Sequence, residues 1–515
     1  MAASATTFDQ IANDKKPRLR LGGYTALAES AWMGFALATE VAEQVWTAPG
    51  ALLRQGRTRI ARRPHLRLRG LSQREFSIAE ASFILMASFF LSAAMGAVRQ
   101  VLFNAQFGVS MEANAYYAAF RLPDTLFSLI AGGALSSALI PVLLSTRQKD
   151  GESAGWRLVS LVFTALLAAF AVLILLVELF TPFFVSKILA PGFDAETAAL
   201  TVTLTRIMLI QPLILAAASV ATAVLNSSNR FFPTALSVIS HNVALIIGIL
   251  LIPFLPGLGI YGPTFGVIGG AILQVIILAP GLAGGAGRLG LAFGLGDQGL
   301  REVIRLLIPN GLSVSVNYAG FIVDTSFATR AREAAGLAAI YNAFLLVGLP
   351  IALLGQAVGQ AAFPRLTAQA ENAEWQPMRR TLFRTLAAVI GLAIPAIAAL
   401  ILLGRPTIRI LFEHGEYNAV AGDLTYLILV VYAVALPSYV ITEVVTRGLI
   451  ALRDTRTPLL TNTAQLIGRP IIILLLIGRL GVVAIPAAFA ITATLETLTL
   501  TIVLLSKLRR RLAML

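Results

Sequence analysis

The sequence predicts an all-α, polytopic membrane protein of about twelve spanning helices arranged as two pseudo-symmetric six-helix bundles. Three observations predict it. The 515 residues are 57% hydrophobic and only 13% charged, about half the ~25% charge of soluble domains. Apolar runs recur along most of the chain at the roughly 20 residues that a bilayer demands. The chain also repeats itself. Tyr117, Ala119 and Phe120, followed by an apolar run to Pro141, return as Tyr341, Ala343 and Phe344 with a run to Pro364; Gly192 returns as Gly415 and Pro233 as Pro458, at offsets of 223 to 225 residues. A constant offset over this length marks two copies of one unit. In so apolar a chain, duplicated halves place a substrate path between them.

In chain order, the first six spans are read over 78–104, 115–146, 158–184, 198–225, 233–255 and 262–284. The second six lie over 302–330, 337–365, 381–404, 423–449, 458–478 and 480–506. Backbone groups in hydrocarbon must be satisfied within their own segment, and these runs are too long for barrel strands, so they are helices. Five regions follow: a basic N-terminal extension over 1–76, a bundle over 77–284, a linker over 285–301, a second bundle over 302–508 and a basic tail over 509–515. The Gly-rich stretch 281–296 lacks the Lys-Ser/Thr of a nucleotide loop and reads as a flexible cytoplasmic linker. Residues 23–53 carry Glu29, Glu40 and Glu43, which make a poor span, and Arg57, Arg59, Arg62 and Arg63 follow. Two readings stand for this extension: an interfacial helix with a basic tract facing anionic lipid, or an arm without regular structure. No small-residue cleavage site follows a short apolar core, so it does not read as a signal peptide.

The net charge of +14 is explained by topology rather than by nucleic acid. Thirty of the 40 Lys and Arg residues fall before the first span, after the last, or in alternate loops, including Arg147, Arg230, Arg305, Arg380 and Arg453. The other face holds six, namely Lys187, Arg330, Arg332, Arg405, Arg409 and Arg479. By the positive-inside rule both termini are cytoplasmic. Without cysteine there is no disulfide, thiolate metal site or cysteine nucleophile, and three scattered histidines make no metal site. The short polar loops combine no nucleophile with a base, so neither an enzyme nor a cofactor is expected.

The stretch Gly96-x-x-Arg99, Phe107-Gly108, Ala119-Phe120-Arg121-Leu122-Pro123-Asp124 and Gly133-Ala134 to Pro141 resembles the MurJ (MviN) family. Further matches are Ala190-Pro191-Gly192-Phe193, Leu225-Asn226-x-x-Asn229-Arg230-Phe231, Leu411-Phe412-x-x-Gly415 and Asp454-Thr455-x-Thr457-Pro458, in family order over roughly residues 77–508. That family flips lipid II, the peptidoglycan precursor, within the multidrug/oligosaccharidyl-lipid/polysaccharide (MOP) exporter superfamily. The resemblance implies a V of two bundles, a central cationic cavity for the pyrophosphate and sugars, alternating access, and a place in the bacterial cytoplasmic membrane. It also implies a lipid-linked glycan as substrate, with membrane lipids and cell-wall synthesis proteins as partners. The family usually has fourteen spans, against about twelve read here.

The chain departs from the family at charged positions. Ser-Arg-x-x-Gly-x-x-Arg-Asp becomes Ser92-Ala93-x-x-Gly96-x-x-Arg99-Gln100, the next aspartate becomes Asn114, and Phe127, Phe344 and Leu345 stand at other charged positions. The candidate substrate-binding residues are therefore Arg99, Gln100, Asn114 and Arg121. Three readings follow: lipid II or a similar lipid-linked glycan, another lipophilic substrate, or a non-transporting structural subunit. Some family members place a sodium-coordinating acid where Asp324 falls; here the partnering span carries Arg469, with Ile473 at the next ligand position. A charge at mid-bilayer costs about 2.5–3.5 kcal/mol on insertion scales, so Asp324 and Arg469 are expected to meet as an ion pair that replaces the cation. Glu443 and Arg447 are spaced to neutralise each other on one helix face. His241-Asn242 should bond a neighbouring helix. Glu178 and Glu496 read as interfacial.

Overall fold

The computed structural model describes residue 74 and residues 78–513, apart from 129–133, 283–288, 295, 332 and 334. The expectation of an interfacial helix and basic tract over 1–76 lies outside the described residues, save for Arg74, which pairs with Glu80 at 2.8 Å.

The described chain is helical. The first half comprises α1 (Ile78–Phe107), α2 (Met111–Ala119), α3 (Arg121–Ser128), α4 (Ala134–Asp150), α5 (Glu152–Phe183), α6 (Ala195–Met208), α7 (Ile210–Ser227), α8 (Phe231–Leu250) and α9 (Tyr261–Leu282). The second comprises α10 (Gln298–Arg330), α11 (Gly336–Pro350), α12 (Val358–Glu371), α13 (Trp375–Leu411), α14 (Ala419–Ala451), α15 (Arg456–Leu480) and α16 (Ala484–Leu512). Among the described residues, nine helical segments are long and apolar enough to cross a membrane. One of these, Arg456–Leu512, runs for 57 residues and holds two crossings, α15 and α16. The two further spans expected from the sequence fall on α2 to α4 and on α10, outside those nine segments. The chain is a multi-pass, all-α membrane protein.

Local chemistry sets the helix ends. Ser110, Asp297 and Asn418 each cap a following helix by accepting from the backbone N–H three residues on, at 3.0–3.1 Å, which satisfies a donor the first turn leaves free. Pro233 and Pro458 stand third in α8 and α15, inside the first turn, where a missing N–H costs nothing. The turns before these helices are copies too. Asn229 and Arg453 both have positive φ, 55° and 61°. The next residue in each turn donates to a carbonyl five residues back, at 2.9 Å in both (Arg230 to Leu225, Asp454 to Leu449). The duplication is thus written into backbone geometry.

The expected flexible linker is a correction where it is described. Gly290 N and Ala292 N donate to Ser160 Oγ and Thr164 Oγ1 on α5, at 3.3 and 2.9 Å, and Leu289 and Ala292 pack on the core beneath. Two buried hydroxyls, one of serine and one of threonine, hold the loop down. The start of α10 belongs to the same core: Leu300, Val303 and Leu307 are buried with Leu139, Trp156 and Leu158, so this helix straddles both halves.

At the basic end, Asp454 pairs with Lys507 Nζ at 2.7 Å and accepts from Thr457 N and Oγ1 at 3.0 and 2.6 Å. Burial by itself raises this carboxyl, but the hydrogen bonds from Lys507 and Thr457 outweigh it and bring it from 3.8 down to about 2. A folded value below the unfolded one stabilises the fold fully above about pH 4, and the contribution is lost as pH falls from there toward 2. Stability measured against pH should therefore drop across that window, and Lys507→Met should flatten the drop.

Candidate functional site

The two halves touch through their repeated residues. Tyr117 and Tyr341, equivalent in the repeat, stack with ring centroids 4.6 Å apart. Around them converge three of the four substrate candidates. Arg99 Nη1 donates to Asn242 Oδ1 at 3.1 Å and Nη2 reaches Tyr341 Oη at 3.5 Å. Arg121 Nε donates to Thr325 Oγ1 at 3.2 Å, and its guanidinium lies 5.3 Å from the Phe321 ring centroid and 5.5 Å from that of Tyr341. Two half-buried cations thus flank one tyrosine, each with guanidinium donors not spent on a carboxylate. That is the equipment for phosphate oxygens. The crevice lined by Arg99, Tyr116, Phe120 and Tyr341 holds about 20 Å³, room for one water.

Gln100 is taken up differently. Its Nε2 lies 3.0, 2.6 and 2.8 Å from Asn104 Oδ1, Tyr117 Oη and Asn342 Oδ1, while Asn104 Nδ2 donates to Asn342 Oδ1 at 3.1 Å. Gln100, Asn104 and Asn342 are all at most 2% exposed. This seam joins α1 to α11 across the halves, so Gln100 holds the contact as well as lining the crevice. Asn114 is not brought to the cluster. It lines a separate cavity of about 270 Å³ with Thr197, Thr329 and Glu333, toward the end poor in basic residues. Asn104, Asn242, Tyr341 and Asn342 were missed as site residues; the repeat itself marked Tyr341, and its neighbour Asn342 was the available signal.

Asp324 and Arg469 meet. Arg469 Nη1 donates to Asp324 Oδ1 and Oδ2 at 3.2 and 3.0 Å, with both residues 6% exposed and the guanidinium 4.3 Å from the Phe489 ring centroid. Phe344 lies beside them, within aromatic contact of Phe321, Tyr432 and Phe489. An aromatic wall therefore stands where the resemblance leads one to expect charge.

Asn242 bonds its neighbouring helix, with Nδ2 donating to Ser92 O and Oγ at 3.0 and 3.1 Å. Glu443 pairs with Arg447 at 3.2 Å. Glu178, half-buried at the apolar surface, pairs with Arg206 at 3.3 Å. Glu496 corrects the interfacial reading: it is 8% exposed, near the middle of α16, because α14 and α15 both pack against that helix.

The end poor in basic residues is closed by two glycine contacts related by the repeat. A Cβ on Gly192 would come within 2.0 Å of Thr329 O, and one on Gly415 within 2.1 Å of Ala105 O. Glu416 N donates to Ala105 O at 3.1 Å beside the second. Each half thus offers one loop glycine to the other half.

Helices, halves and cationic contact together define a multi-pass membrane protein with the fold of the MOP-superfamily transporters. An inward-facing multidrug resistance MATE family transporter of that superfamily superposes with a TM-score of 0.70 over 82% of this chain and 95% of its own, at 11% identity. A structure described as "Lipid II flippase MurJ, inward closed conformation" superposes equally well, with a TM-score of 0.70 at 24% identity over 82% of this chain and 87% of that one. The family model "Lipid II flippase MurJ" matches residues 103–514, and the chain belongs to that family. Among its relatives, the lipid II flippase MurJ of Burkholderia cenocepacia is 28% identical over 416 residues, 80% of each chain. The probable lipid II flippase MurJ of Rhizobium meliloti (strain 1021) is 27% identical over 371 residues, 71% of this chain and 69% of its own.

Proposed function

We propose that this protein carries lipid II, or a lipid-linked glycan of the same diphosphate chemistry, across the bacterial cytoplasmic membrane by alternating access. It is a transporter, and no bond of the substrate is made or broken. The convergence of Arg99 and Arg121 on Tyr341, at the contact between the halves, carries this reading. A diphosphate crossing hydrocarbon needs cations to pair with, and arginine offers a planar fork for its oxygens. The polyprenyl tail stays in lipid while the head group passes between the regions 77–284 and 302–508. Both termini are cytoplasmic on the distribution of basic residues, and anionic lipid is the partner that the basic composition of 54–74 suits. The Asp324–Arg469 pair takes the place of a bound cation, so transport is indifferent to sodium.

Complementation in cells depleted of their own lipid II flippase tests the substrate. Survival is expected; failure with verified membrane expression overturns the assignment. In proteoliposomes, Arg99→Gln and Arg121→Gln should each lose a charge-assisted contact of about 1.5–3 kcal/mol, slowing transport about tenfold to a hundredfold. Unchanged rates in both variants would remove these residues from the substrate site.

A further inference from the structure

Glu496 is a carboxyl in the interior of the second half with no cation of its own. Among the described residues, it forms no ion pair within 4.0 Å, and its one side-chain contact is Thr461 Oγ1 at 3.2 Å. That hydroxyl also lies 3.1 Å from Pro458 O, the kind of bond to the preceding turn's carbonyl that a helical threonine commonly makes. A hydroxyl has one proton. If Thr461 gives it to Pro458, its contact with Glu496 is a hydrogen bond only when Glu496 is the donor, as a carboxylic acid.

The surrounding charges agree. Arg469 on α15 is the cation whose field reaches Glu496, and both Asp324 oxygens already occupy it. That pair is balanced, so an ionised Glu496 would leave a net charge buried in the membrane interior, the arrangement that costs most. From α14, Tyr439 faces the same space, and the Glu443–Arg447 pair is turned toward Gly355 and Gly359. From α10, Asp324 acts through Arg469. α13 meets α16 where Arg511 lies 5.1 Å from the Trp375 ring centroid. Donor capacity remains unspent nearby: Arg469 Nε and Tyr439 Oη are buried without hydrogen-bond partners among the described residues.

We propose that Glu496 is a proton-binding site governed by the Asp324–Arg469 pair. The proton stays on Glu496 while Asp324 holds Arg469. Asp324 rides on α10, whose start is tied to the first half through Leu300, Val303 and Leu307. Arg469 and Glu496 ride on α15 and α16, which pack on each other. Separation of the halves draws Asp324 off Arg469, and the freed guanidinium turns to Glu496. The carboxyl O–H bond then breaks, its electron pair stays on the oxygen, and the proton passes to water. Each opening of the halves thereby releases one proton.

The inference deepens the transport reading, so its first test needs no transport. Infrared difference spectra of the full-length protein in lipid at neutral pH, wild type minus Glu496→Gln, should show a protonated-carboxyl C=O band, with all other carboxyls cancelling. Thr461→Val, which leaves Glu496 in place, should shift that band. Loss of the band on adding sodium at constant pH would make this a cation site and overturn the proposal, as would absence of the band. In proteoliposomes, an imposed pH gradient should accelerate wild-type transport and leave Glu496→Gln unaffected. Equal acceleration of both would sink the coupling while leaving the flippase reading intact.

Discussion

Arg469→Met is expected to destabilise the folded protein by about 3–5 kcal/mol, the loss typical when one partner of a buried ion pair is removed. The pair is 6% exposed on both sides, and Asp324 has no second cation within ion-pair distance among the described residues. The damage therefore comes from the stranded carboxylate more than from the lost attraction. Asp324→Leu combined with Arg469→Met should recover most of the stability, since methionine and leucine can pack against Phe344 and Phe489. Unfolding in detergent micelles, followed for the single and double variants, checks this. A single variant within about 1 kcal/mol of wild type would mean that water reaches the pair.

Gly415→Ala is expected to open the contact between the halves at the end poor in basic residues. The new Cβ would stand 2.1 Å from Ala105 O, and Gly415 has φ +57°, where a side chain costs a further 1–2 kcal/mol or so. Backbone, unlike a flexible side chain, cannot step aside. Because the chain has no cysteine, the pair Ala105→Cys and Glu416→Cys reports the contact without background. Its oxidative cross-linking should fall about tenfold or more when Gly415→Ala is added, and Gly192→Ala should act in the same direction through Thr329. Unaltered cross-linking would show that the loop shifts without separating the halves.

Much of the architecture was legible because membrane insertion imposes simple rules. Hydrocarbon demands long apolar helices, basic residues sort by side, and the copied Tyr, Gly and Pro positions revealed two halves. The Asp324–Arg469 contact was legible for the same reason, since neither charge tolerates the interior alone. Glu496 was misread because apolar periodicity around it is weak, and depth along a helix depends on where packing places the helix ends. Gln100 does line the crevice, but its type says only that it bonds; which bonds it makes depends on α11 arriving with Asn342.

The sequence by itself determined that this chain crosses the membrane about twelve times as two copies of one unit, because solvent preference and repetition are local properties of the string. Only the tertiary structure decided how the copies meet. Tyr117 stacks on Tyr341, Arg99 and Arg121 converge there from different helices, and Gly192 and Gly415 each reach the opposite half. Those are contacts across more than a hundred residues, and they depend on how helices dock, which no local pattern encodes.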